Sequence, residues 1–353
     1  MDAYREYAGN LHMHSVYSDG EAQHSDIVAA AAAAGLDFVI VTDHNIRPQG
    51  LEGYHGRTLL LVGEEVHNNQ RQPQANHLLV YGTEQEMAPY SFGSSTTLIQ
   101  SVRDRGGVCY IAHPIEKSSR LRRDLGAIPW VDWPVQHISG IELWNYMSEF
   151  KGLLWSNLAA LVYSFHPDWG IRGPYRATLR LWDELLSRGQ RLGVIGNADA
   201  HGTTFSLGPL QRVIFPYVEL FQRVNTHILT RGPITGDLAH DKTVVYEALQ
   251  AGRTWVAYDR PRSTRGFRFE ARSGSARAVC GEELKRLGAV SLEVVLPSRG
   301  DIRLLRDGTC IKRISGQRLT YTSVEQGIYR VEVHRRYKGL RVGWIYSSPI
   351  YVL

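Results

Sequence analysis

The sequence predicts an α/β fold, a closed or distorted β/α barrel over residues 1–262, followed by a small all-β domain over residues 263–353. Three observations predict it. Seven apolar, strand-like runs recur before residue 262, with helical stretches between several of them, as in a mainly parallel sheet covered by helices. Ionisable residues gather at the C-terminal end of most of these runs, where a β/α barrel builds its site. Beyond Arg260-Pro261-Arg262 the pattern becomes short period-two alternation broken by turn residues.

The first run, GNLHMH, is followed by HSDIV, where Ser25 or Asp26 is expected to cap an alanine-rich helix ending near Gly35. The runs DFVIVTDHN, LLLVGEEV, HLLVYGT, VCYIAHP, GIELWN and LGVIGNADAH come next, with STTLIQSVRDRGG and YRATLRLWDELLSRGQ as helices among them. Tyr146 to Pro174, rich in Trp, Phe and Leu, reads as an insertion over residues 146–174. It either roofs the mouth, with Trp155, Phe165 and Trp169 forming an apolar pocket, or buries against the flank. In the C-terminal part, GFRFEAR, VSLEVVL, IRLLRDG, QRLTYT, GIYRVEVHRR and GWIYSSPIYV read as strands of a sandwich, with Asp307-Gly308 as one turn.

Composition narrows the function. With 43% apolar and 21% charged residues, the chain can bury a large core. No apolar run approaches the roughly 18 residues that span a bilayer, and MDAYREYAGN has no apolar signal region, so no membrane partner is expected. Cys109, Cys280 and Cys310 lie far apart without a CxxC pair, which suits a reducing, cytoplasmic setting. The net charge of +5 divides into +9 for residues 263–353 and −4 for the rest. A basic surface for anionic substrates or nucleic acid is one reading. Solvated outward strand positions are the favoured one, because the charges alternate with apolar residues.

The chemistry sits at the strand ends. His12 and His14, two apart on a strand, face the same side and could share one metal or two adjacent ones. His44, His77, His113 and His201 join them at other strand ends, beside the carboxylates Asp43, Glu64-Glu65 and Asp199. Mixed imidazole and carboxylate ligands suit Zn, Mn or Fe, whereas Ca or Mg would take oxygen alone. Asp43 is either a group that aligns a histidine or a strand-end cap. Glu142 and Asn145 are either mouth-lining or structural. Lys117, Arg120, Arg122 and Arg123 follow AHP as substrate-phosphate candidates, with a solvated face as the commoner reading. His166, in SFHPDWG, is the histidine the insertion could carry over the mouth; His24, His55, His67, His137, His227, His240 and His334 match no ligand position.

HMHSVYSDG, TDHN, GEEV, the isolated His77, AHP, GIELWN and GNADAH, in this order, resemble the PHP (polymerase and histidinol phosphatase) superfamily of metal-dependent phosphoesterases over roughly residues 9–260. The layout, with a β domain behind the barrel, is most similar to the CehA/McbA-type metallohydrolases. The resemblance implies a distorted (β/α)7 barrel and a cluster of two or three divalent transition metals (Mn, Zn or Fe). It implies His12, His14, Glu65 and Asp199 at a first metal, and Glu65 bridging to a second with His77 and His113. Asp19, His44 and His201 fall to a third. Glu65 is chosen over Glu64 by the family spacing Gly-x-Glu.

The activity implied is that of a phosphoesterase on a small anionic, phosphorylated substrate, with a metal-bridging hydroxide as nucleophile and Glu65, Asp199 and His201 as the catalytic set. One alternative is a carbamate, ester or amide hydrolase. Another is a PHP-type binding module without catalysis, with the basic β domain as its contact surface. Oligomeric state is not indicated.

Overall fold

The computed structural model describes residues 4–122, 124–207 and 210–353. It is a mixed α/β structure. The described strands form two main sheets, of fourteen and five strands, and a two-stranded hairpin, Thr204–Leu207 with Leu210–Val213, rather than one closed ladder. In the larger sheet, Arg5–Asn10 pairs parallel with Phe38–Val41, and Phe38–Val41 with Thr58–Val62. The chain then runs through Gly63 into Glu64–Val66, the first strand of the smaller sheet. A Cβ on Gly63 would lie 2.6 Å from the Val80 carbonyl oxygen, so only glycine passes this seam. At the other seam, Asp199 N–H donates to His12 O (2.9 Å) and His14 N–H to Ala200 O (2.9 Å).

The expected parallel order holds only in part. Leu78–Tyr81 is antiparallel to both Glu64–Val66 and Val108–Ile111, and Val224–Thr230 is antiparallel to Arg5–Asn10 and Thr254–Tyr258. The segment between Val66 and Leu78 contains no helix to carry the chain back, so the next strand returns reversed. That reversal explains why His77 precedes its strand while His12, His14, His44, His113, Asp199 and His201 follow theirs: the start of a reversed strand lies beside its neighbours' ends. Val108–Ile111, Gly140–Asn145 and Gly193–Asn197 complete the smaller sheet in parallel.

The alanine-rich helix spans His24–Ala34 and stops at Gly35, whose φ of 80° lets its N–H reach Ala31 O and Ala32 O. Its N-cap is Gln23, without a side-chain bond, and not Ser25 or Asp26 as expected. In the following Ser95–Asp104 helix, Ser94 accepts from Thr97 N–H at 3.1 Å. The insertion forms two short helices, Tyr146–Gly152 capped by Asn145 and Asn157–Phe165 capped by Ser156.

From Arg268 onward every described regular element is a strand. These strands extend the larger sheet instead of forming a detached sandwich: Leu340–Ser347 pairs with Thr254–Tyr258 through Trp255↔Ser347 and Val256↔Tyr346. Trp255 and Leu229 accordingly pack in the same apolar cluster as Phe267, Val294 and Trp344. Covering the Thr254–Tyr258 edge removes a row of unpaired backbone groups. A buried ionic knot reinforces the junction, with Asp168 of the insertion accepting from Arg223 (2.9 Å), Lys338 (2.9 Å) and Tyr337 (3.1 Å). The outer strand Thr309–Ser323 is mostly exposed, and Arg313 and Arg318 pair there with Asp301 and Glu293. Among the described residues no helix is long and apolar enough to cross a membrane.

Candidate metal centre

His12 and His14 lie just past Arg5–Asn10 and face one side, while Met13 between them points into the apolar core. Glu65 separates from Glu64 by the same alternation. Glu64 turns away, accepting Met87 N–H (2.7 Å) and Ala88 N–H (3.0 Å), and burial pushes its carboxyl up to about 7. Glu65 turns inward and is buried among five imidazoles. Its Oε1 lies 2.8 Å from His77 Nδ1 and 3.1 Å from His113 Nε2. Its Oε2 lies 3.1 Å from His12 Nε2, 3.2 Å from His14 Nε2 and 3.1 Å from His44 Nδ1.

Asp199 closes one side. Its Oδ1 is 3.4 Å from His12 Nε2, 3.2 Å from His14 Nε2 and 3.6 Å from His201 Nδ1. Asp199 (φ 56°) and His113 (φ 28°) both hold left-handed backbone, a strained state that recurs at functional sites. Asp19 stands at the rim, half-exposed, 3.4 Å from His201 Nε2, 3.7 Å from His14 Nδ1 and 3.8 Å from His44 Nε2. A Cβ on Gly20 would sit 2.2 Å from the His14 carbonyl oxygen, so glycine is required for this turn to fold over the histidines.

Ligand atoms come within 4.8 Å of one another in several sets: His12, His14 and Glu65; Glu65, His77 and His113; His14, Asp19, His44 and His201. With Asp199, which joins His12 and His113, the structure brings together all nine residues singled out as metal ligands. His12, His113 and Asp199 form a further set, as do His44, His67 and His77.

The donor set fits metal ions. Burial alone would lower the pKa of His12, but the Asp199, Glu142 and Glu65 carboxylates outweigh it and raise it well above the ordinary histidine value. His14 rises to about 10 and His113 to about 9 by the same competition. Glu65, which burial would raise, is instead drawn far down by His12, His44 and His77. Burial, then the neighbouring His14, press His44 down to about 3. The cluster is thus a charged network whose protons cations can displace. Both His14 ring nitrogens, His44 Nδ1 and His77 Nε2 are buried without a hydrogen bond of good geometry. Orphaned nitrogens of this kind call for a bound group.

Glu142 organises the histidines. Its carboxylate lies 3.0 Å from His12 Nδ1 and accepts from Asn145 Nδ2 (3.0 Å), Asn197 Nδ2 (3.0 Å) and His113 N–H (3.1 Å). Held from behind, His12 turns Nε2 toward Glu65. Asn145 also donates to Asp199 Oδ2 at 3.1 Å. Asp43 does not take this part, because the chain turns directly after His14 and brings serines to it. It accepts Ser15 N–H (2.7 Å), Ser15 Oγ (2.7 Å) and Ser18 Oγ (2.8 Å), and so pins the turn that carries Asp19.

The centre opens into a cleft of about 410 Å³ whose far wall is apolar, with Leu125, Ile128, Met147, Phe150, Leu154 and Ile214. The described cation lining it is Lys151, already bound to Glu116 (2.6 Å) and Gly126 O (2.8 Å). Lys117, Arg120 and His166 do not line this cleft. Lys117 sits over the Tyr175 ring, Arg120 faces solvent, and His166 stacks on Trp169 at 4.4 Å. Arg122 pairs with Asp124, and Arg123 lies outside the described residues. Trp155, Phe165 and Trp169 are on the insertion's exposed side; Met147, Phe150 and Leu154 supply its inner face. The sequence does not single out Lys151, Asn197 or His67 as site residues. For His67 a signal existed, since Glu65-x-His67 repeats the spacing of His12-x-His14.

No protein-family model matches the chain, and no curated protein matches it by sequence. Among solved structures it is similar to a candidate metal-dependent phosphoesterase from Bifidobacterium adolescentis, at 15% identity and a TM-score of 0.35, over 55% of this chain and 87% of that one. It is also similar to a two-domain protein from Bacteroides vulgatus containing a predicted PHP-like metal-dependent phosphoesterase. That likeness covers 99% of this chain and 96% of the other, at 15% identity and a TM-score of 0.48.

Proposed function

We propose that the protein is a metal-dependent hydrolase of the PHP type, acting as a phosphoesterase on a small phosphorylated substrate. The observation that carries this reading is the position of Glu65, with Oε1 against His77 and His113 and Oε2 against His12, His14 and His44. Split in that way, one carboxylate can bridge two cations. In this reading residues 1–262 are a distorted (β/α)7 barrel and residues 263–353 a C-terminal unit. Two or three Mn, Zn or Fe ions are held by His12, His14, Asp19, His44, Glu65, His77, His113, Asp199 and His201.

Bound there, such ions would supply Lewis acidity toward a phosphoryl oxygen and a water acidic enough to attack at neutral pH. The chain's own groups do the rest. Glu142 keeps the His12 ring oriented, and Asn145 holds Asp199 in place beside His12 and His14. His201 and Asp19 stand at the open rim, where a leaving oxygen would meet them. The apolar wall opposite excludes water and receives the organic part of a substrate.

A second reading, hydrolysis of a carbamate or ester, is supported by that same wall and by the pairing of Lys151 with Glu116. One experiment separates the two. Metal-stripped protein reloaded with Mn, Zn or Fe is assayed on aryl phosphates, phosphodiesters, aryl esters and carbamates. Metal-dependent turnover of a phosphoester supports the first reading. Fast carbamate or ester turnover beside background phosphatase rates reverses the order, and no turnover of any substrate with any metal contradicts both.

A further inference from the structure

His67 stands outside the nine-residue ligand set, yet the fold aims it at the same centre. It follows Glu65 by two residues, so the strand direction of Glu64–Val66 sends both side chains to one face. Its backbone is tied down, with the His67 N–H donating to Asn45 Oδ1 at 2.9 Å and the Asn45 N–H donating to Glu65 O at 3.1 Å. The ring lies parallel to His77, with centroids 4.1 Å apart and planes at 12°, and meets His44 edge-on at 5.0 Å. The ligand atoms of His44, His67 and His77 all fall within 4.8 Å of one another. His67 Nδ1 and His77 Nε2 are buried and make no hydrogen bond, while His44 Nδ1, buried and without one of good geometry, lies 3.1 Å from Glu65 Oε2.

Stacking accounts for the two parallel rings but not for their orphaned nitrogens, since a phenyl ring would stack there without stranding a polar atom. We infer that His67 is a metal-ligating residue, and that His44, His67 and His77 form an all-nitrogen seat for a borderline cation such as Zn²⁺. This rests on the reading that the centre binds metals. Three imidazoles without a carboxylate suit Zn better than Mn, which favours oxygen donors. His44 also belongs to the set with Asp19 and His201, and His77 to the set with Glu65 and His113, so this seat shares two of its rings with its neighbours.

The test is metal titration of chelator-stripped protein with Zn²⁺ and with Mn²⁺ against a chromophoric competitor, for wild type, His67→Phe and His67→Gln. His67→Phe keeps the stack on His77 and removes the nitrogens; His67→Gln guards against a bulky ring perturbing the fold, and thermal melts report on both. The expected result is one Zn²⁺ equivalent lost or weakened by more than about tenfold in both variants, with Mn²⁺ binding unchanged. Unchanged Zn²⁺ stoichiometry and affinity in His67→Phe overturns the inference alone. Equal losses of Zn²⁺ and Mn²⁺ in a well-folded variant also overturn it. A wild type that binds neither metal overturns the metal-centre reading itself.

Discussion

Among the described residues, the buried histidine and carboxylate clusters around His227 and around Glu65 close their hydrogen bonds differently. Around His227 each ring nitrogen has its own acid: Nδ1 lies 3.0 Å from Glu6 and Nε2 3.1 Å from Asp259. The acids are satisfied in turn, Glu6 by Arg268 and Gly266 N–H, Asp259 by Thr264 and Asn225. Around Glu65, five imidazoles converge on a single carboxylate and several nitrogens are left over. A histidine beside an acid is thus no metal signature in itself. Convergence with unspent nitrogens is, because folding alone would not leave them unpaired.

That contrast can be broken by mutation. The largest effect is expected from Glu65→Gln, which removes the charge on which five imidazoles converge: metal content measured by elemental analysis should fall, and in the proposed reading hydrolysis should drop to background. Glu142→Gln acts one step back, loosening the His12 ring. It should weaken metal binding by about 10- to 100-fold in competition titrations, and some loss of melting temperature is expected because Asn145, Asn197 and the His113 N–H lose a charged acceptor. His227→Gln should leave metal binding and turnover intact while lowering stability.

The His227 cluster also predicts a pH dependence. Burial would lower the His227 pKa, but Asp259 and Glu6 outweigh burial and raise it to about 9. The folded state therefore holds a proton that the unfolded chain releases near its ordinary value of about 6.5. The stabilisation is complete below that value and is lost as pH rises toward 9. Melting temperature should fall across this window in the wild type and stay flatter in His227→Gln. The smallest effect is expected from Asp19→Asn: Asp19 stands at the rim with its side chain 55% exposed, and its loss should read as a shift in one titration step with the others unchanged.

Legibility in the sequence followed the same divide. His12, His14, His113 and Asp199 are readable as candidates because each ends or follows an apolar run, whereas Glu65 is told from Glu64 only by the Gly-x-Glu spacing of the family the chain resembles. Reversal of Leu78–Tyr81 was not readable, although it alone explains why His77 opens its run. Glu142 stayed ambiguous because a buried carboxylate and a mouth-lining one look alike until their donors, His12, Asn145, Asn197 and His113 N–H, are placed around it. Lys117, Arg120 and His166 lie away from the cleft because a loop after a strand end can leave the mouth as easily as cover it. The continuous sheet across residue 262 was hidden too, since period-two alternation shows a strand but not its neighbour.

The most direct measurement is elemental analysis of purified, metal-reloaded wild type, Glu65→Gln and His227→Gln proteins side by side. The account predicts at least two Zn, Mn or Fe ions per chain in wild type and His227→Gln, and fewer in Glu65→Gln. A wild type carrying none, or a Glu65→Gln protein carrying as many as wild type, would contradict it.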